Sequence, residues 1–315
     1  MVRHTTSRLA FTLIELLVVI AIIAVLVGLL SSAVMKALEV GIRVRVTTEI
    51  RQMDAACVAF KTRFGDFPPS WIRLRRDGNY NLNVDMIGNP VDIRDFMSYR
   101  ILNQFWPRLK FPVNWNGDQN APAGSVWELE GDQCLVYFLG GIPYQQGSVI
   151  GCLGFSTDPT NPARAGTERI PSFYEFHSAR LRTLVGTPSG SFLNYLDPYE
   201  ERPYVYFSSW NRTPGYSDAT RQGATFRTDC QRLGVWPYAL TQSVGMNSGR
   251  IWHRPITFQI ISAGKDGRFG PGTNLSSANP AYWTYQGASI YAERFPDSAD
   301  DLSNFHDLLM GIPTN

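Results

Sequence analysis

The sequence lacks a strong excess of charge of either sign, is poor in cysteine and has few long hydrophobic runs. It contains 29 lysine and arginine residues against 27 aspartate and glutamate residues, which gives a net charge of +2. Nucleic-acid-binding domains show a large basic excess, so the composition argues against that class. Four cysteines in 315 residues do not make a disulfide scaffold. A single long apolar run argues against a protein that spans the bilayer many times.

Motifs of familiar catalytic chemistry are also missing. The segment 154–158 lacks the second glycine of a nucleophile elbow. No Lys-Ser or Lys-Thr pair follows the glycines of 267–272, as a phosphate-binding loop requires. The four histidines stand singly and without the spacing of metal ligands: His4, His177, His253 and His306. These patterns predict a protein that is not an enzyme.

One apolar run is present near the start of the chain, Phe11–Leu30, in which only Thr12 and Glu15 are polar. A helix of about twenty residues at 1.5 Å each reaches roughly 30 Å, the hydrocarbon thickness of a bilayer. The run therefore predicts a single transmembrane helix. Arg3 and Arg8 precede it without an acidic residue, which predicts a cytoplasmic N-terminus and a C-terminal part outside the cytoplasm.

Glu15 lies inside this run, where an ionisable side chain costs about 2.5 to 3.5 kcal/mol on insertion scales. A simple anchor gains nothing from such a residue, so Glu15 favours a functional role. Two other interpretations stay open: a plain signal anchor, and a secretory signal peptide cleaved near Ser31–Ala33. The run is longer than the roughly 7 to 15 apolar residues of a signal peptide.

The stretch Ala10–Ala24, AFTLIELLVVIAIIA, resembles the class III signal of type IV pilins and type II secretion pseudopilins. The resemblance implies that a prepilin peptidase cuts between Ala10 and Phe11 and N-methylates the new amine, so that the apolar helix is retained. It also implies that Glu15 is the family's glutamate at the fifth mature position. Ala10 departs from the glycine that usually precedes the cut.

The spacing of Phe11 and Glu15 has a physical explanation. After cleavage Phe11 carries a cationic amine, and Glu15 lies four residues on, near the same helix face. In a filament whose helices are offset along its axis, the amine of one subunit meets Glu15 of the next. Because a buried charge without its partner is strongly unfavourable, Glu15 is predicted to set the register between subunits.

Helical periodicity continues beyond Leu30. We expect the helix to end at Phe64, before the helix-breaking segment Gly65–Pro69. Most of its apolar stripe is predicted to pack against the chain's own head, and the part between Leu30 and Ile42 against neighbouring subunits. The stripe recurs at spacings of three or four: Val34, Leu38, Ile42, Val46, Ile50, Met53, Cys57, Phe60 and Phe64.

The remainder of the chain is predicted to form a head in which segments 204–207 and 256–261 are strands and 134–139 is a strand or short helix. The predicted fold class is α+β. A long N-terminal helix, transmembrane and then amphipathic, packs on an antiparallel β-sheet head with large loop insertions, as in pilins. The predicted domains are a cytoplasmic leader 1–10, an assembly helix 11–64 and a periplasmic head 65–315.

Residues 256–305 resemble the C-terminal region of major pseudopilins, where a strand leads into a calcium-binding loop. The resemblance implies Asp266, Asp300 and Asp301 as candidate ligands, since calcium takes roughly six to eight oxygen ligands. EF-hand spacing is absent. The alternative is an Asp-Gly turn at a strand end, with the later acids on a solvated loop.

The cysteines and tryptophans of the head are further candidates. Cys134, Cys152 and Cys230 allow one disulfide, with Cys134 to Cys152 the shortest closure. Cys57, on the apolar stripe, is predicted to be a buried thiol. Most of the eight tryptophans are predicted to be core residues, and exposed ones would indicate carbohydrate or protein binding.

These features predict a structural subunit of a pseudopilus or type IV pilus-like filament for protein secretion, as the resemblance implies. Its implied partners are the prepilin peptidase, copies of itself or other pseudopilins, and an inner-membrane assembly platform, with no nucleic acid. Its implied location is the bacterial inner membrane, with one span and a periplasmic head, and then the filament. The large head suggests a minor or tip subunit. The alternatives are a membrane-anchored periplasmic binding or hydrolytic head, and a tip adhesin.

Overall fold

The computed structural model of the chain describes residues 13–86, 88–118, 120–146, 149–166, 168–183, 192–209, 216, 228–241, 251–270 and 300–305. The chain divides into two compact units, residues 1–45 and 46–315. The division falls inside the first helix, before the predicted start of the head at residue 65.

The described residues form a long N-terminal helix followed by short helices and strands. The helices are α1 (Leu13–Phe64), α2 (Ile93–Phe105), α3 (Gly131–Gly140) and a 3₁₀ turn (Ser178–Arg180). The strands are β1 (Ile72–Arg75), β2 (Val126–Leu129), β3 (Pro143–Gln146), β4 (Val149–Cys152), β5 (Leu181–Arg182), β6 (Asn194–Tyr195), β7 (Val205–Ser208), β8 (Ala239–Thr241), β9 (Ile251–Trp252), β10 (Phe258–Ser262) and β11 (Leu302–Ser303).

Helix α1 ends at Phe64, as the sequence predicts. Gly65 takes a positive φ of 87° and its backbone N–H donates to the carbonyl of Lys61 at 2.8 Å. Such a left-handed residue satisfies a terminal carbonyl and turns the chain out of the helix. Pro68 and Pro69 then prevent the helix from resuming.

All the pairings between the named strands are antiparallel, and they form one three-stranded sheet and four two-stranded sheets. The two segments predicted as strands pair with each other: β7 lies beside β10, with Phe258 opposite Ser208 and Ile261 opposite Val205. Strand β11 covers the other edge of β10. The α+β class is confirmed, with several small sheets where the sequence predicts one.

The segment 134–139, left open between strand and helix, is the centre of α3. Every residue of α3 is buried, so its sequence shows no amphipathic period. Gly141 ends the helix with a φ of 93°. A continuous apolar run of this length is compatible with a buried helix or a buried strand, and the packing around it decides.

The core of the head is built on aromatic rings that converge on the end of α1. The Phe60 ring lies 5.3 Å from that of Phe105 in α2 and 5.8 Å from that of Phe138 in α3, centroid to centroid. Phe173, from the loop before the 3₁₀ turn, lies 5.3 Å from Phe60. Edge-to-face contacts of this kind fix three helices and a loop in one cluster.

The apolar stripe of α1 changes character along its length. Val46, Ile50, Met53, Cys57 and Phe60 are all buried. This part of the stripe packs inside the head, as predicted. Nearer the N-terminus, Val34 is 46% exposed and Leu38 is 59% exposed.

Candidate functional site: the assembly helix

The N-terminal part of α1 is the segment to which the sequence assigns the main function. Among the described residues, α1 is the one helix long and apolar enough to cross a membrane, and none of its apolar stretch is buried by the chain. Glu15 lies in its first turn with an exposed side chain. The apolar stretch of the helix, from Leu13 to Leu30, therefore presents an apolar surface that carries one carboxylate, Glu15.

The predicted processing residues Ala10 and Phe11 lie outside the described residues, which begin at Leu13. Cleavage between them stays a prediction, and so does the pairing of the new amine with Glu15.

The part of α1 inside the head is held by a buried ion pair. Arg180 binds Glu49 through two hydrogen bonds, Nη1 to Oε2 at 3.0 Å and Nη2 to Oε1 at 2.6 Å. Their side chains are 3% and 8% exposed. Burial alone lowers the pKa of Arg180, but its hydrogen bonds to Glu49 outweigh this and raise it, so the guanidinium stays charged.

Three further groups complete this pair. The Tyr204 hydroxyl donates to Glu49 Oε2 at 3.1 Å, and Arg180 Nη1 donates to the Leu196 carbonyl at 3.1 Å. Arg180 also donates to the Tyr195 hydroxyl, and its guanidinium carbon lies 4.4 Å from the Tyr195 ring centroid. A buried pair with this many partners fixes the position of the helix rather than adding much net stability.

A second polar contact holds the next turn of α1. Asp54 Oδ1 accepts hydrogen bonds from Arg254 Nη1 at 2.6 Å and from Asn304 Nδ2 at 2.8 Å. Asn304 Oδ1 in turn accepts from the backbone N–H of Ile260 in β10, at 3.0 Å. Asp54 thereby joins α1 to the three-stranded sheet.

Neither the Glu49–Arg180 nor the Asp54–Arg254 contact is predicted from the sequence. A signal for the first exists, because Glu49 falls three residues after Val46 and four before Met53, on the apolar stripe. A carboxylate on a buried face predicts a buried partner. Neither Arg180 nor Arg254 can be selected as that partner from spacing, because both lie far along the chain.

The structure brings together the two segments predicted to hold calcium. Asp300 Oδ2 accepts from the backbone N–H groups of Lys265 at 2.6 Å and Asp266 at 2.9 Å. Asp266 Oδ1 accepts from the N–H of Arg268 at 2.8 Å. The long insertion between the segments therefore does not keep them apart, and these carboxylates shape the turn after β10.

Asp301 faces the interior instead. Its Oδ2 accepts from the Tyr238 hydroxyl at 2.6 Å and from the N–H of Gly270 at 3.1 Å. Burial raises the pKa of the Asp301 carboxyl well above its usual range. Within the described ranges no group of three or more His, Cys, Asp or Glu side chains is arranged to hold a metal ion. Calcium binding stays a prediction.

The cysteines carry free thiols. Cys134 and Cys230 are buried, Cys152 is half-buried, and neither these three nor Cys57 forms a disulfide. The disulfide that the sequence allowed between Cys134 and Cys152 is therefore absent from the structure. Cys57 is fully buried, as predicted, and burial raises the pKa of its thiol.

The tryptophans behave as core residues where they are described. Trp210, Trp283, His4 and His306 lie outside the described residues. His253 stacks on Phe305 at 4.4 Å between ring centroids. Six tryptophans are buried, which confirms the prediction for them: Trp71, Trp106, Trp115, Trp127, Trp236 and Trp252.

Comparison with protein families matches residues 6–31 to the prokaryotic N-terminal methylation motif. This motif is the prepilin-type signal of type IV pilins and pseudopilins, so the resemblance read from Ala10–Ala24 is confirmed. Comparisons with curated proteins and with solved structures find no match. The chain thus carries the prepilin-type signal at the start of a long apolar helix, which is followed by an α+β head.

Proposed function

We propose that the chain is a structural subunit of a pseudopilus or type IV pilus-like filament that serves protein secretion. The observation that carries this proposal is Glu15, a carboxylate in the first turn of an exposed apolar helix within the matched motif. Cleavage before Phe11 would create an amine four residues away. Amine and carboxylate on successive offset helices neutralise each other in a membrane.

The exposed apolar residues beyond the span support the same proposal. Leu38 is 59% exposed and Val44 is 57% exposed, although both follow the twenty-residue apolar run. Apolar side chains that are neither in a membrane nor in a core favour association. Neighbouring copies of α1 are the partners that cover them in the filament.

The motif supports the following route to the filament. The prepilin peptidase processes the chain at the inner membrane, with the leader 1–10 in the cytoplasm and the head in the periplasm. An inner-membrane platform then assembles it with copies of itself or with other pseudopilins. We place it as a minor or tip subunit because of its large head.

Replacing Glu15 with leucine tests the proposal. Glu15→Leu raises the hydropathy of the span, so we expect the variant to stay in the membrane fraction. The amount of the variant in sheared filaments is expected to fall at least about tenfold, because the amine of the next subunit has lost its carboxylate. The matched control is Thr12→Leu, which raises hydropathy in the same region and keeps the carboxylate. Normal incorporation of Glu15→Leu would refute the proposal.

Mass spectrometry of the mature N-terminus provides a second test. We expect a chain that begins with N-methylated Phe11. A chain that begins after Ser32 or Ala33 would have lost Glu15 to ordinary signal peptidase, and the filament proposal would then be wrong.

A second candidate is a membrane-anchored binding head. It is favoured by an open cleft of about 350 Å³ beside the β3–β4 hairpin, whose lining includes Asn116, Asp118, Tyr144 and Arg169. Pockets of this size with a few convergent polar groups accommodate small ligands. This candidate predicts that a head lacking the apolar helix keeps full function, whereas the filament proposal predicts that it loses function.

A further inference from the structure

The open cleft of about 350 Å³ beside the β3–β4 hairpin combines apolar and polar side chains in its walls. Ile142, Ile150 and Leu153 contribute apolar surface, and Leu153 is 45% exposed. Tyr144 also lines the cleft and packs against Gly151, where an added side-chain carbon would come within 2.6 Å of the tyrosine ring. The cleft therefore offers an apolar wall that includes an aromatic ring held in place by its neighbour.

Arg169 is the one cation among the described residues that line this cleft. Its Nη1 donates to the Gly154 carbonyl at 3.2 Å. Its Nε and Nη2 make no hydrogen bond, and no carboxylate forms an ion pair with it, within the part of the chain that the structure describes. Nε and Nη2 form the edge of a guanidinium that binds a carboxylate through two parallel hydrogen bonds. Arg169 therefore keeps a carboxylate-binding edge available.

The backbone around Arg169 is held by hydrogen bonds of its own. The Ile170 N–H donates to the Phe155 carbonyl at 2.8 Å, and the Gly154 N–H donates to the Gly140 carbonyl at 2.8 Å. Burial lowers the pKa of the Arg169 guanidinium, and no carboxylate among the described residues raises it. A partly desolvated cation without an anion is unfavourable, so a bound anion removes a penalty that the fold already carries.

The charge of the lining limits the kind of anion. Asp118 is the one carboxylate among the described lining residues, so the formal charges of Asp118 and Arg169 cancel. Asp118 is exposed, and its Oδ1 accepts from the N–H of Asn120 at 2.8 Å. A ligand with one negative charge places that charge on Arg169, whereas a second negative charge would be repelled by Asp118. The lining therefore favours a monocarboxylate over a phosphate or a dicarboxylate.

We propose that this cleft binds a ligand that carries a single carboxylate on an apolar body, and that Arg169 holds the carboxylate through Nε and Nη2. The apolar body packs on Tyr144 and Leu153. A small organic acid and the C-terminal residue of a peptide both present this chemistry. The inference rests on the second candidate function, for which it names the ligand class, and it does not depend on filament assembly.

Calorimetric titration of the full-length protein in detergent tests the ligand class. The probe N-acetylphenylalanine has one carboxylate and an apolar ring, and its amide differs only in lacking the carboxylate. We expect saturable binding of the acid and at least about tenfold weaker binding of the amide. Because this comparison uses one unsubstituted protein, it does not depend on the folding of any variant.

Phenylpropionate separates the two sources of the ligand, because it keeps the carboxylate and the ring but lacks the peptide group. Binding at least as tight as that of N-acetylphenylalanine would identify a small organic acid as the ligand. Binding at least about tenfold weaker would identify the C-terminus of a peptide, whose amide group is then recognised by the polar part of the lining.

Substitution of Arg169 tests the residue. Arg169→Met is expected to weaken the binding of N-acetylphenylalanine at least about tenfold, and Arg169→Lys to weaken it as well, because an ammonium group keeps the charge but lacks the planar fork. The matched control is Arg164→Met in the same loop, because Arg164 pairs with Asp158 and is not among the described lining residues. We expect this control to change the affinity less than about twofold. Near-UV circular dichroism shows whether each variant keeps the fold.

The outcomes separate this inference from the proposed filament. Binding of neither acid, equal binding of the amide, tighter binding of inorganic phosphate than of N-acetylphenylalanine, or unchanged affinity in a folded Arg169→Met variant would each overturn the carboxylate site. We expect Glu15→Leu to bind N-acetylphenylalanine normally although it does not enter filaments, and Arg169→Met to enter filaments normally. Failure of the filament proposal therefore leaves the ligand titration intact, and failure of the ligand titration leaves the filament assay intact.

Discussion

At the scale of single residues, α1 carries two acidic side chains whose partners come from distant parts of the chain. Glu49 is bound by Arg180 and Asp54 by Arg254. Glu49 is an isolated exception on a face that is otherwise apolar, whereas Asp54 is half-buried at the edge of that face. Both contacts fix the rotation of α1 about its axis and its position along that axis. Apolar contacts alone specify these two quantities less sharply.

The Glu49–Arg180 pair gives a residue-level prediction. Arg180→Met leaves the Glu49 carboxylate buried without a cation, so we expect the free energy of unfolding to fall by about 3 to 5 kcal/mol. Replacing both residues, as Glu49→Leu/Arg180→Met, is expected to cost less than Arg180→Met alone, because no uncompensated charge is left. Urea unfolding of the detergent-solubilised protein, followed by tryptophan fluorescence, measures both changes.

The control for this prediction is Arg182→Met. Arg182 is exposed and donates only to backbone carbonyls in the described structure. Its replacement is expected to change stability by less than about 0.5 kcal/mol. An effect of Arg182→Met as large as that of Arg180→Met would show that the buried pair has no special role.

At the scale of secondary structure elements, α3 shows how closely the head is packed. It is buried at every residue, and its first residue, Gly131, lies against the Tyr206 carbonyl of β7 and the Cys230 thiol. A methyl group at Gly131 would overlap the Tyr206 carbonyl, which belongs to the backbone and cannot rotate away. Glycine is therefore required here by the close approach of helix and strand.

This contact gives an element-level prediction. We expect Gly131→Ala to lower the free energy of unfolding by about 1 to 3 kcal/mol or more, since overpacked cores respond in this range. Gly124→Ala is the matched control, because nothing lies within 4 Å of the added methyl group. Thermal unfolding of the two variants side by side distinguishes them, and equal melting temperatures would contradict the close approach.

At the scale of the whole molecule, the head contains several carboxyl groups for which the effect of burial on the pKa outweighs the opposing effect of neighbouring cations and hydrogen bonds. Burial raises the pKa of Asp197 to about 6 and that of Glu130 to about 7, although hydrogen bonds from Ser262 and the charge of Arg232 oppose these shifts. Burial also raises the pKa of Asp132 and Asp301. The folded head therefore binds protons more tightly than the unfolded chain does.

The direction of the pH effect follows by linkage. A carboxyl group whose pKa is higher in the folded state makes stability fall as pH rises from its unfolded value near 4 to its folded value. For Asp197 and Glu130 this window extends from about pH 4 to pH 7. We expect the free energy of unfolding at pH 5 to exceed that at pH 8 by at least about 2 kcal/mol.

Urea unfolding at a series of pH values measures this profile. Glu130→Gln is expected to flatten it between about pH 6 and pH 8, because the Glu130 carboxyl, with a pKa of about 7, titrates in this range. A profile that rises from pH 5 to pH 8 would show that these carboxyl groups do not govern the stability of the head.

Most features of helix α1 are predictable from the sequence. The apolar run, Glu15 within it, the stripe and the end of α1 at Phe64 depend on periodicity, hydropathy and helix-breaking residues that lie next to one another. The same local signals were insufficient for 134–139, because a segment buried on every side has no period to read. They also gave no indication that the head divides its strands among several small sheets.

The sequence by itself determined the long apolar helix, its prepilin-type signal and the α+β class, because each is encoded by neighbouring residues. Only the tertiary structure decided the partners of Glu49 and Asp54, the inward turn of Asp301 and the free state of the cysteines. These features join residues that are many positions apart, and their energies depend on burial and on donor geometry. Neither quantity exists until the chain has folded.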